Sequence, residues 1–212
     1  MRSVVEETLV RTRFEVLLVC TANVSRSPMA VALLRHHLTD RFGEQSVTIR
    51  VASAGTTALV GAPADPDVAR VLTALRRPVV PTEPARQLDA ELVGGADLVL
   101  TMTRQQRAVV ITTVPPAQRR VFTVLELARI ARRLAGERRL PPSATLAHGL
   151  RALVTAAPAW RGPTAPQDPA ADDVGDVHGQ KLEEQLKAGR RLDEALAAVV
   201  AALPDRQPAR GR

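Results

Sequence analysis

The run Phe14-Glu15-Val16-Leu17-Leu18-Val19-Cys20 is followed by Thr21-Ala22-Asn23-Val24-Ser25-Arg26-Ser27-Pro28. An apolar segment ends on the only cysteine of the chain, small and polar residues follow, and a proline suited to a first helical turn comes after an Arg-Ser pair. This is a strand entering a helix through a tight loop. A strand that is apolar at nearly every position is one covered on both faces, as in a parallel sheet.

The rest of the chain repeats that theme. Hydrophobic patterning predicts strands over 15–20, 47–52, 96–101 and 120–122, alternating with helices over 28–38, 67–76, 103–113 and 124–134. Asp89 is read as the cap of a brief helix ended by Gly94-Gly95. A final helix is expected over 180–203, interrupted at Gly189. Four alternations argue an α/β fold, a parallel sheet with helices on both faces. Residues 136–171 turn rich in Pro, Ala and Arg and read as an insertion carrying one helix over 143–157, within a single domain spanning 14–203. The ends, 1–13 and 204–212, read as flexible, the last of them basic through Arg206, Arg210 and Arg212.

Composition narrows the function classes. Aromatic residues are 2% of the chain with no tyrosine, so Leu, Val and Ala must fill the core. The formal charge of +7 admits anionic partners, yet stacking on bases needs aromatic faces that are scarce here, which argues against nucleic acid. One cysteine excludes an internal disulfide framework and a cysteine zinc cluster. His36, His37, His148 and His178 show no metal-ligand spacing and read as solvated or packing residues. The opening residues carry no secretory pattern and no apolar run is long enough to span a bilayer, which points to a cytoplasmic chain without a membrane partner.

The loop from Cys20 to Ser27 has a chemistry of its own. Backbone amides turned inward form a nest for phosphate oxygens, and the helix that follows adds the positive end of its dipole. That field favours a thiolate at Cys20. Arg26 supplies a planar fork matching two phosphate oxygens, Asn23 tolerates a left-handed turn, and Ser27 can hydrogen-bond the sulfur. A thiolate attacking phosphorus gives a phosphocysteine that water then cleaves, and a carboxylic acid is needed to serve both steps. A lone cysteine closing a strand is ordinarily a small packing residue. The surrounding run is what makes Cys20 a candidate nucleophile.

Residues 19–30 resemble the signature loop of the low-molecular-weight protein tyrosine phosphatases. Val51-Ala52-Ser53-Ala54-Gly55-Thr56, Ala85-Arg86-Gln87-Leu88 and Ala96-Asp97-Leu98-Val99-Leu100-Thr101-Met102 follow in that family's order. The resemblance covers about 14–134 and 172–203 and implies a four-stranded parallel sheet in the order 2-1-3-4. It also implies hydrolysis of phosphotyrosine-type monoesters with no metal or cofactor, and a phosphotyrosine protein or another phosphomonoester as the partner. By the same resemblance Cys20, Arg26 and an aspartate are catalytic, Thr21, Ala22, Asn23, Val24, Ser25 and Ser27 form the phosphate-binding loop, and Ser53 steadies Asn23. The family's acid lies in Asp-Pro shortly before the last helix. Asp168-Pro169 has the dipeptide; Asp176 has the spacing, with Val177 where proline is usual, and is preferred.

Departures from the family pattern leave other readings open. Ala22 stands for a usual glycine, Ser25 for a frequent second cysteine, and Glu83 for a histidine of the support network. The mouth has His178 in place of a tyrosine. Trp160, the only tryptophan, is read as lying on the surface of the added helix rather than over the mouth. A catalytically weak phosphate- or phosphoprotein-binding module is the alternative to an enzyme. A helix–turn–helix over 132–153 is a third reading.

Overall fold

The computed structural model describes residues 13–204, so the expected leader and basic tail lie almost wholly outside the described residues. Strands β1 (Phe14–Cys20), β2 (Ile49–Gly55), β3 (Leu98–Thr101) and β4 (Val121–Thr123) form one parallel sheet in the order β2-β1-β3-β4. β1 lies inside the sheet and pairs with both its neighbours, Cys20 opposite Gly55 of β2 and Val19 opposite Thr101 of β3. Helices α1 (Arg26–Phe42), α2 (Pro66–Ala74), α3 (Ala90–Gly95), α4 (Arg104–Thr113), α5 (Val124–Gly136), α6 (Leu146–Ala156) and α7 (Leu182–Ala201) complete the fold.

The pleat of β1 divides its residues between two cores. Phe14, Val16, Leu18 and Cys20 face α1, α2, α5, α6 and α7, while Leu17 and Val19 meet Val93 of α3 and Val110 of α4. Several helix starts follow from local chemistry. Thr103 and Thr123 each close a capping box, with Gln106 and Glu126 reaching back to the cap amide. Asp65 caps α2 and Asp89 caps α3, as expected of Asp89.

The differences from the sequence reading have physical causes. α1 runs two residues further toward the loop and four further at its C-terminal end than 28–38, because the loop itself turns into the helix at Arg26 and Gly43 takes a positive φ of 54° beyond its end. β2 begins at Ile49; Val47 is 85% exposed in a short 3₁₀ segment, so its β-branched side chain had no sheet to join. Gly189 does not interrupt α7. A Cβ there would stand 2.5 Å from Val71 Cγ1 and 3.3 Å from Met29 Sδ, so glycine is what lets α7 cross α1 and α2 closely.

Arginines finish the two sheet edges. Arg35 donates to the Val51 carbonyl and Arg86 to that of Ser53 on the β2 side, and Arg161 donates to the Val121 carbonyl on β4. Edge carbonyls that would template another strand are thereby occupied. Asp193 of α7 takes Arg77 and His37 together, joining α1, α7 and the turn after α2. Burial pushes the Asp193 carboxyl up, but the hydrogen bonds from Arg77 and His37 outweigh it and leave the group below its ordinary value.

Within the segment expected as an insertion, α6 is built in at the end of the sheet away from the Cys20 loop. Leu146, Ala147, Leu150 and Leu153 of α6 are buried in the main core, and Arg151 stacks on Phe14, the first residue of β1. Trp160 is half-buried beside Arg133 of α5, with the guanidinium carbon 6.0 Å from the ring centre. No helix among the described residues is long and apolar enough to cross a membrane.

Replacing a mid-helix glycine by alanine ordinarily gains up to about 1 kcal/mol. At Gly189 the sign should reverse, because overpacking a β-branched neighbour costs about 1–3 kcal/mol. Gly189→Ala should lower the urea midpoint with the m-value unchanged; a raised midpoint would contradict the close crossing.

Candidate active site

At the carboxyl end of β1 the chain must turn sharply into α1, and the carbonyls of that turn need partners. The segment after β2 supplies them. Thr56, Thr57, Leu59 and Asp65 donate their amides to the carbonyls of Cys20, Thr21, Ala22 and Val24, at 2.8–3.0 Å. With its oxygens held outward, the loop shows the opposite groups to its centre. Among the described residues the amides of Ala22, Val24, Ser25 and Arg26 have no acceptor, and the Asn23 amide points at Cys20 Sγ, 3.3 Å away. This is the arrangement of an anion nest opening onto a helix N-terminus.

Asn23 takes the left-handed turn, with φ 61°, which leaves Ala22 outside the positive-φ region and explains why a methyl is tolerated there. Its side chain organises the interior. Nδ2 donates to Ser53 Oγ and to Ser27 Oγ, each at 2.9 Å, and Oδ1 accepts the Arg86 amide at 2.9 Å. Because Ser27 already accepts from Asn23, its own proton is available to Cys20 Sγ, 3.0 Å away. Arg86 thus stands in the altered brace, through its backbone, with Glu83 3.9 Å from its guanidinium. Ser25 is buried at the N-cap of α1, and its hydroxyl has no partner among the described residues.

Gly55 permits the close approach of the supporting segment. A Cβ at this position would lie 2.5 Å from the Thr21 carbonyl oxygen and 3.0 Å from Ala58 Cα, both backbone atoms that cannot move aside cheaply.

Opposite the loop runs the strap 171–178. Val174 donates its amide to the Met102 carbonyl and is buried with Val177. Asp172 pairs with Arg129; Asp173 takes both the amide and the guanidinium of Arg104; Arg191 donates to the carbonyls of Ala171 and Asp173. The Asp173 bond holds the Arg104 guanidinium above its ordinary value. So fixed, the strap brings Asp176 to the loop: its carboxylate is 3.0 Å from Arg26 Nη2, with the Arg26 side chain 4% exposed and that of Asp176 61% exposed. Arg26 also donates to the Val174 carbonyl at 3.1 Å. Asp168 instead caps the turn Pro169–Asp172 by accepting the Ala170 amide.

Three features of the mouth were not read from the sequence. Gln106, buried behind the loop, donates to Thr21 Oγ1. Leu59 and Val60 are 51% and 71% exposed, and Leu59 stands beside Ala22, whose carbonyl accepts its amide. His178 faces Asp65 across 3.2 Å rather than lying free. Only the Leu-Val pair carried a signal, as two adjacent apolar residues in a stretch otherwise read as loop.

Residues 15–137 match the model of the family described as low molecular weight phosphotyrosine protein phosphatase. A probable low molecular weight protein-tyrosine-phosphatase, EpsP, of Ralstonia nicotianae is 38% identical over 112 residues, 53% of this chain and 71% of the relative. A protein-arginine-phosphatase of Bacillus subtilis is 32% identical over a stretch of the same length and coverage. Among solved structures, the low molecular weight protein tyrosine phosphatase of T. tengcongensis superimposes with a TM-score of 0.63 at 23% identity, covering 90% of this chain and 99% of that one.

Gly55→Ala should separate the supporting segment from the loop, lowering the thermal midpoint and weakening binding of inorganic phosphate by about tenfold or more, consistent with an overpacking cost of about 1–3 kcal/mol. Calorimetric titration with phosphate checks it; wild-type affinity would show that the loop holds itself. The chain has no second thiol to trap an oxidised Cys20 as a disulfide. Peroxide should therefore carry Cys20 past the sulfenic stage. Intact mass after dithiothreitol reads the outcome, and full return to the reduced mass would refute it.

Proposed function

The chain belongs to the low molecular weight phosphotyrosine protein phosphatase family, and we propose that it hydrolyses phosphotyrosine in proteins through a phosphocysteine intermediate. The observation that carries this reading is the Arg26–Asp176 contact of 3.0 Å over a loop with free amides. A phosphoryl group bound by Arg26 would bring its leaving-group oxygen near the Asp176 carboxyl group that protonates it.

In this mechanism the substrate phosphoryl group enters the loop and competes with Asp176 for Arg26. The Cys20 thiolate attacks phosphorus; the S–P bond forms as the ester P–O bond breaks. Asp176 gives its proton to the departing oxygen, then accepts one from the water that attacks the phosphocysteine. The S–P bond breaks, inorganic phosphate leaves, and Ser27 hydrogen-bonds the returning thiolate. Arg26 follows the phosphoryl oxygens through both steps. The residues need no metal or cofactor for this chemistry.

Asp176 is favoured over Asp168 because it meets Arg26, whereas Asp168 is engaged in capping its own turn. Val177 supports turnover as well: it is 6% exposed in the main core, so burial positions the strap where relatives use a proline ring. Leu59, exposed beside Ala22, would offer a phenyl ring an apolar contact in place of aromatic residues. The chain is proposed to work as one domain over 14–203, in the cytoplasm, on phosphoprotein partners.

Hydrolysis of p-nitrophenyl phosphate tests the assignment. Cys20→Ser should abolish turnover, Asp176→Asn should reduce it ~100-fold or more with a poor leaving group, and Asp168→Asn should leave it near wild type. A wild-type chain that binds phosphate without hydrolysing the ester would instead establish a binding module, and a near-normal Asp176→Asn would shift the acid to Asp168.

A further inference from the structure

We propose that the Thr21 hydroxyl is a fixed hydrogen-bond donor to the phosphoryl group, aimed there by Gln106. This rests on the loop being a phosphate site and adds a side chain to a cradle otherwise built of backbone and arginine.

Gln106 is 5% exposed, and its Oε1 accepts the amides of Met102 and Thr103 at 3.0 and 3.1 Å. That fixes the orientation of the carboxamide, because an NH₂ group cannot face two N–H donors. Nε2 is therefore the end that meets Thr21 Oγ1, at 3.0 Å, and it can only donate. The second neighbour of Thr21 Oγ1 is Arg26 Nη2 at 3.4 Å, and a guanidinium likewise only donates. Both acceptor positions of the hydroxyl are taken. Its single proton has no acceptor among the described residues.

Rotation does not relieve this arrangement without losing the Gln106 bond. The backbone is held as well, since the Thr21 carbonyl is bound by the Thr57 amide at 3.0 Å. A phosphoryl group offers only acceptors. It would be bound by the same Arg26 that already touches this hydroxyl, so one of its oxygens falls within reach of the Thr21 proton. Gln106 is the positioning residue: it does not touch the phosphate but decides which way the hydroxyl faces.

Binding of inorganic phosphate to the Cys20→Ser protein, followed by calorimetry, tests this independently of turnover. If the wild type fails to hydrolyse p-nitrophenyl phosphate, the reaction assignment fails; the donor assignment stands or falls on phosphate affinity alone. In that background Thr21→Val should weaken phosphate about tenfold or more, as expected for a hydrogen bond to a charged group. Thr21→Ser, which keeps the hydroxyl, should stay within roughly threefold. Gln106→Glu keeps an acceptor for the Met102 and Thr103 amides but presents a second acceptor to Thr21, so the proton should turn away and affinity should fall. Added to Thr21→Val, the same change should have little further effect, because there is no proton left to redirect. Wild-type affinity in Thr21→Val would overturn the proposal. So would a Gln106→Glu effect of equal size with and without the hydroxyl, which would reveal only the added negative charge. Should Thr21→Val fail to fold, the Ser and Glu variants still decide the outcome.

Discussion

A loop can offer its amides to an anion only if its carbonyls are satisfied elsewhere. In this protein that condition is met by the segment after β2, which binds the carbonyls of Cys20, Thr21, Ala22 and Val24 one after another. Leaving such groups unpaired inside the protein costs about 1–3 kcal/mol each, so the loop and its supporting segment stand or fall together. Gly55 is where the two come closest, and Asn23 links the loop interior to Ser53 and the Arg86 amide. The sheet order follows the same need: β2 must lie beside β1 for its trailing residues to reach the loop.

The strap that carries Asp176 is secured differently. It has no strand or helix of its own between Asp172 and Lys181, and four arginines from four helices hold it: Arg26, Arg104, Arg129 and Arg191. A single half-exposed ion pair contributes little, about 0–1 kcal/mol. What these pairs add is direction. Several of their bonds end on backbone carbonyls, and the buried side chains of Val174 and Val177 lock the strap between them.

Local signals in the sequence carried most of the frame. The strand–loop–helix was legible because Cys20, Asn23, Arg26 and Pro28 each have a distinct conformational or chemical meaning. Thr103, Asp89 and the parallel sheet were legible through capping chemistry and continuous apolar runs. What escaped was set by contacts distant in sequence. Gly189 has the composition of a helix break, and only the position of Val71 reveals it as a crossing point. The part played by Arg86 resides in its backbone amide, which no residue type announces. Gln106 reads as a routine helix-cap partner, and it is one; its second bond, to Thr21, depends on where β3 ends relative to β1. Arg104, Arg129 and Arg191 carried no such signal, because the strap groups they hold lie on a distant stretch of the chain or on another element.

The late position of the strap also orders events in time. Arg26 and Val174 are 148 residues apart in sequence, and the residues bracing the loop all precede α5. During synthesis the amino-terminal part emerges first. Part of the apolar face of α1 stays uncovered until α7 arrives, and the strap leads directly into α7. Docking of that helix completes the core and brings the carboxylate to Arg26 in one event. A nascent chain therefore brings Asp176 to Arg26 only as α7 docks, so on a half-built protein the Cys20 loop stands without that carboxylate.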